Sequence, residues 1–205
     1  MIELARRRPL AGVIEVLGEL RRADILPILI DALDEDFSRG AAEEALRKIG
    51  AIAGPALCGA ALRLVPSPEY ESPSSVRRRR SALRLLVEMG LAQTFWGRLE
   101  PLVFDPNENI AAIAGGVAIG FGSEAQRQTA ATRLVALLQV ADWLLRSEIE
   151  GYLISHFYSA KTAVDEALAA HAGDQDGANL RVRRALARVV ARANTQRESL
   201  AAGGL

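Results

Sequence analysis

Residues 38–57 read SRGAAEEALRKIGAIAGPAL, and their spacing decides the class of fold. Ala41, Ala42, Ala45, Leu46 and Ile49 recur at i, i+1, i+4, i+5 and i+8, one apolar stripe of an amphipathic helix. Gly50 ends that stripe, and Gly54–Pro55 opens a second apolar run almost at once. Just upstream lies Asp34–Glu35–Asp36. Such a run is unfavourable at the end of a helix and favourable ahead of the next, so it predicts a helix start near Phe37 or Ser38. No histidine joins the three carboxylates, which therefore read as solvated capping residues rather than metal ligands.

The same helical spacing extends in both directions, as in RLVALLQV at 133–140. Period-two runs of β-branched residues are missing, so no sheet is expected. Gly50, the loop PSPEYESPSS (66–75), Gly90, Asp105–Pro106, Gly122 and GDQDG (173–177) punctuate the chain. Short connections of this kind predict antiparallel neighbouring helices. The segments EEALRKIG, LRLLVEMG and GVAIGFG end at Gly50, Gly90 and Gly122. Those intervals, about 40 and 32 residues, lie near the period of helical-pair repeats.

In register, the chain resembles HEAT repeats, in the shorter form shared with bacterial phycobilisome-lyase-type repeat proteins. VLGELRRADILPILIDAL carries the resemblance through Leu17, Gly18, Leu20, Leu26, Pro27 and Leu29. SRGAAEEALRKIGAIAGPAL adds Arg39, Ala41, Ala42, Ala45, Leu46, Ile49, Gly50, Pro55 and Leu57. FDPNENIAAIAGGVAIGFG adds Asp105, Pro106, Ile110, Ala114, Phe121 and Gly122, and GDQDGANLRVRRALARVV adds Asp174, Val182, Arg183, Arg184 and Ala185. The resemblance implies an all-α, right-handed α-α superhelix (solenoid) of about five helical pairs, in one domain over 1–205. Residues 1–24 would form an N-terminal half-repeat, with a first helix near Pro9 to Arg22. Residues 176–205 would form a capping helix, near Leu180 to Ala193, and a frayed tail.

Twenty-five basic and 25 acidic side chains cancel, so no global field gathers phosphate and any basic surface is local. Lys48 and Lys161 are the only lysines; arginine supplies the rest of the positive charge. Cys58 has no cysteine partner and reads as a small buried hydrophobe. No signal peptide is evident at the start, and no run approaches the ~20 apolar residues of a membrane span. A cytoplasmic setting without a membrane partner is the expectation.

Arg77 to Arg80 form the run RRRR. Four consecutive helical residues sweep about 300°, so they cannot share a face. Val76, Leu83, Leu86 and Met89 read as the buried side. Arg77, Ser81, Arg84 and Glu88 form a neighbouring stripe, and Arg79 and Arg80 sit at the core margin with their heads reaching water. The HEAT-like resemblance implies that Val76–Arg77 opens the second helix of a pair, with an arginine paired to a turn aspartate. It further implies a concave face built from second helices. Arg39, Arg47, Arg77, Arg84, Arg146, Arg184 and Arg188 are the candidate partner-binding residues on that face. Glu43, Glu44, Glu88, Glu148 and Glu150 interrupt them, and mixed signs suit a protein partner better than nucleic acid.

From Ile110 to Gly122 no side chain is charged, and Gly115 and Gly116 sit mid-helix. Close packing by neighbouring helices would offset their cost of about 0.5–1 kcal/mol each. The functional alternative makes Gly116 part of an apolar groove floor that receives a partner.

His156 and His171 lack helical His–Glu partners, and no P-loop, G-x-G-x-x-G or G-x-S-x-G occurs, so no cofactor or metal is expected. Asp142–Trp143, with Trp96, is the one enzyme-like feature, by analogy with HEAT-like DNA alkylation-repair glycosylases. The expected function is non-catalytic binding of a protein partner through the concave surface, as a scaffold, regulator or immunity-type binder. A HEAT-like DNA-binding protein or repair glycosylase is the alternative. The loop at 66–75 would assist through Tyr70.

Overall fold

The structure is a computed structural model that describes residues 10–66, 71–172 and 177–202. Among these residues there is no strand, only an isolated bridge between Pro66 and Glu71. The chain is all-helical. It forms two compact units, Met1–Leu102 and Val103–Leu205.

The N-terminal unit contains α1 (Ala11–Glu19), α2 (Leu26–Ala32), α3 (Arg39–Ile49), α4 (Gly54–Leu62), α5 (Pro73–Glu88) and the short α6 (Trp96–Leu99). Helix α3 packs between α1 and α5, and α4 packs between α2 and α6; α2 touches α3, and α4 touches α5. Helices α2, α3, α4 and α5 thus each meet a sequence neighbour and a helix two places along. Small residues permit the closest approach: a methyl on Gly18 of α1 would stand 2.6 Å from the Cβ of Ala45 on α3. Ser38 precedes α3, where the acidic run places a helix start, but its hydroxyl donates to the Ala32 carbonyl instead of capping. Gly50 follows α3 with φ +75°, and Gly90 follows α5 with φ +70°, a backbone region that L side chains rarely adopt. Cys58 on α4 is fully buried, and that burial pushes its thiol above the usual range against a weaker opposing pull from Arg98.

The C-terminal unit contains α7 (Glu108–Phe121), α8 (Glu124–Leu137), α9 (Trp143–Ser155), α10 (Phe157–Ala170) and α11 (Gly177–Ala202). Helix α9 packs between α7 and α11, and α10 against α8 and α11, while α7 also touches α8. A local side chain caps each of the first three starts. Asn107 accepts from Asn109 and Ile110, Ser123 and Gln126 form a capping box, and Asp142 accepts from Leu145 at 2.8 Å. Asp105 of the Asp–Pro turn accepts from the Asn107 N–H. Gly122 has an ordinary φ; it is glycine because a Cβ would meet the Ala118 carbonyl oxygen at 2.6 Å.

Two expectations change. The terminal helix does not stop near Ala193 but runs to Ala202, and Val189 is the last buried side chain among those described along it. Residues Arg39–Leu62 are long and apolar enough, by length and composition, to span a membrane, contrary to the sequence reading. Half of that window is buried in the protein, and Gly50 divides it into two helices. Tyr70, Pro9 and the first four residues of GDQDG, Asp174 among them, lie outside the described residues.

Candidate functional site

The four arginines at 77–80 divide between two environments. On α5 the positions Ser75, Arg78, Arg79, Ala82, Leu83 and Leu86 follow i, i+3, i+4, i+7, i+8 and i+11, and all are buried. Arginine therefore occupies two places of the core stripe. Arg79 is 1% exposed and does not reach water, contrary to the sequence reading. Its Nε donates to the Ala61 carbonyl at 2.8 Å and its Nη1 to Glu71 at 2.6 Å. Arg78, also 1% exposed, donates to Asp34 at 2.7 Å and to the Arg63 carbonyl at 2.6 Å. Both guanidinium groups satisfy carbonyls at the end of α4, where the helix dipole is negative. Val76 and Met89, assigned to the core side from sequence, are only half-buried.

Asp34 is correspondingly not a solvated capping residue. Burial raises its carboxyl above the ordinary range, and the adjoining Arg78 pulls it in the opposite direction. A turn aspartate does meet this helix start: Asp34 meets Arg78, and Asp36 lies 3.5 Å from Arg77. Arg77 itself donates twice to the backbone carbonyl of Asp34, at 3.2 and 3.1 Å.

The other two arginines face outward. Arg77 and Arg80 join Arg84, Ser81 and Glu88 on α5 and meet Asp36, Arg39, Glu43 and Arg47 across a cleft of about 440 Å³. The structure thus brings four of the candidate residues, Arg39, Arg47, Arg77 and Arg84, into one cleft within the N-terminal unit. Sequence reasoning missed Arg80 as a lining residue; its place one turn from Arg77 and Arg84 is the signal that would have found it. Arg47 bridges α3 to α5 through Glu88 at 2.9 Å and lies near Glu43 and Glu44 on its own helix. Arg39 pairs with Asp36 at 2.7 Å, and the Ser81 hydroxyl donates to Glu43 at 2.6 Å.

The remaining candidates lie in the C-terminal unit, in different settings. Arg188 pairs with Glu150, which is buried, and Arg146 donates to the Ala141 carbonyl at 2.6 Å. Arg184 is exposed on α11. Gly116 does not floor a groove. Its place is covered by the Tyr152 ring of α9, with which an added Cβ would collide at 2.6 Å, while Leu134 of α8 covers Gly115 at 2.9 Å. Close packing from two sides is the reason for the glycines. Asp142 is committed to capping α9, and Trp143 beside it is 77% exposed. Among the described residues no group of three or more His, Cys, Asp or Glu side chains is placed to hold a metal ion. Comparison with known protein families, with curated proteins and with solved structures finds no match for this chain.

Proposed function

We propose that the chain is a non-catalytic protein-binding module, a solenoid of HEAT-like helical pairs that engages its partner through the arginine cleft of the N-terminal unit. Support for the solenoid comes from the contacts inside each unit, where all but the first and last helices of the N-terminal unit meet both a neighbour and a helix two places along, as stacking of pairs requires. Support for a protein partner comes from the cleft lining, where five guanidinium groups are interleaved with three carboxylates. A polyanion favours one sign along its track, whereas a mixed lining selects a surface with complementary charges. The test is capture of partners by tagged protein with and without nuclease, using wild type and Arg84→Glu. A stoichiometric protein that survives nuclease and is lost in the variant, with an unchanged melting curve, supports the reading. Capture that is indifferent to Arg84 removes the cleft from it.

One observation favours nucleic acid as a second reading. On α11, Arg181, Arg184, Arg188 and Arg192 are exposed at i, i+3, i+7 and i+11, and no acidic residue occurs on that helix before Glu198. An arginine stripe of this kind suits phosphates, although Arg188 within it already pairs with Glu150 of α9. If it binds them, log affinity for a short duplex falls with log salt at a slope of about −0.9 per phosphate neutralised, and Arg184→Ala flattens that slope by about one.

A further inference from the structure

We infer that the cleft of the N-terminal unit takes an acidic peptide segment, whose carboxylates displace Glu88 and Asp36 from the arginines that those two side chains occupy in the free protein. This rests on the protein-binding reading and adds the chemistry of the partner and a built-in competitor.

The geometry of the internal pairs carries the inference. The strongest arginine–carboxylate contact is a fork, with two nitrogens meeting two oxygens. Neither internal pair achieves it. Arg47 donates from both Nε and Nη2 to a single oxygen of Glu88, at 3.0 and 2.9 Å. Arg39 reaches Asp36 through Nη1 alone, and the Nε of Arg77 lies 3.5 Å from the same oxygen. Asp36 and Glu88 are tethered to the cleft wall, whereas a peptide carboxylate is free to turn into the fork. Their own exposure, 63% and 49%, leaves both able to swing out to water. Glu43 differs, because the Ser81 hydroxyl holds it in place.

The receiving groups are prepared for this exchange. Arg77 is fixed by its two bonds to the Asp34 carbonyl, so little side-chain freedom remains to be lost on binding. Guanidinium groups outnumber carboxylates in the lining, so a local positive surplus exists in a chain of zero net charge. The volume of about 440 Å³ falls in the range of sites for short ligands, which fits a few residues of an extended chain.

Anisotropy of a labelled ten-residue peptide in which glutamates alternate with serines tests the inference with Glu88→Gln and Glu44→Gln side by side. Both variants remove one negative charge beside Arg47, but Glu44 does not line the cleft. The expected result is that Glu88→Gln tightens binding about two- to fivefold, the scale of releasing an exposed ion pair, and Glu44→Gln does so distinctly less. Arg84→Glu weakens binding about tenfold, and Arg22→Ala, whose arginine pairs with Asp24 outside the cleft, leaves it unchanged. Equal tightening by the two glutamine variants overturns displacement, since it shows a general charge effect. Tighter binding of a 12-nucleotide single strand than of the peptide overturns the carboxylate partner. If no variant binds the peptide while Arg84-dependent capture of a protein persists, this inference fails and the protein-binding reading stands.

Discussion

A guanidinium removed from water has to meet a carboxylate and enough acceptors at once, and Arg79 does so with Glu71 and the Ala61 carbonyl. Removing it strands a carboxylate that is itself almost fully buried. Arg79→Ala should cost about 3–5 kcal/mol in a denaturant titration. Arg79→Lys should recover little, because a point charge cannot reach both acceptors as a planar fork does. Arg84→Ala, at an exposed position on the same helix, should cost far less. His156, between α9 and α10, makes the pH dependence specific. Burial lowers its pKa, and the nearby charge of Arg127 adds to the shift. The unfolded chain then takes up the proton first as pH falls below about 6.5, so stability is full above that value and is lost towards the depressed folded value. Urea melts at pH 7.5 and 5.5 should show a smaller acid loss in His156→Gln than in wild type.

Glycine has opposite meanings in two helices. In α4 a Cβ on Gly59 would meet nothing within 4 Å, so Gly59→Ala should stabilise by about 0.5–1 kcal/mol. In α7 the Tyr152 ring fills that space beside Gly116. Gly116→Ala should therefore lower the melting temperature, because overpacking costs about 1–3 kcal/mol and outweighs the gain in helix propensity. An unchanged melt would mean that Tyr152 turns away. The division of the chain into helices was legible in sequence because its signals are local: Gly50, Gly90 and the Asp105–Pro106 turn act within a few residues of themselves. The burial of Ile110 to Ile119 was legible too, because a helix without charge has no face to give to water. Arg78 and Arg79 were not, since a hydrophobic pattern places arginine outside and their partners Asp34 and Glu71 are set by tertiary contact. Close packing at Gly116 was legible, but not the residue that supplies it, since Tyr152 lies far along the chain and leaves no spacing to read. In the cleft, the stripe Arg77, Ser81, Arg84 and Glu88 was visible as a period on one helix, but its facing wall, Arg39, Glu43 and Arg47, required the packing of α3 on α5.

Zero net charge conceals strong local differences, with a mixed cleft in one unit and a stripe of arginines in the other. Salt should separate them, since a stripe that releases counterions responds more steeply than a cleft that already contains its own carboxylates. Two compact units also raise the question of whether unfolding is one event or two. The chain carries its own clock for this. Its sole cysteine, Cys58, is 0% exposed in the N-terminal unit, and the folded environment keeps the thiol protonated and slow. A disulfide reagent should therefore label the protein only as fast as that unit opens, whereas circular dichroism follows the helices of both. If the two readouts give the same midpoint in urea, the protein melts as a single body. If labelling comes first or last, each midpoint times the slope of its own transition gives the separate stability of each half, with no probe added to the sequence.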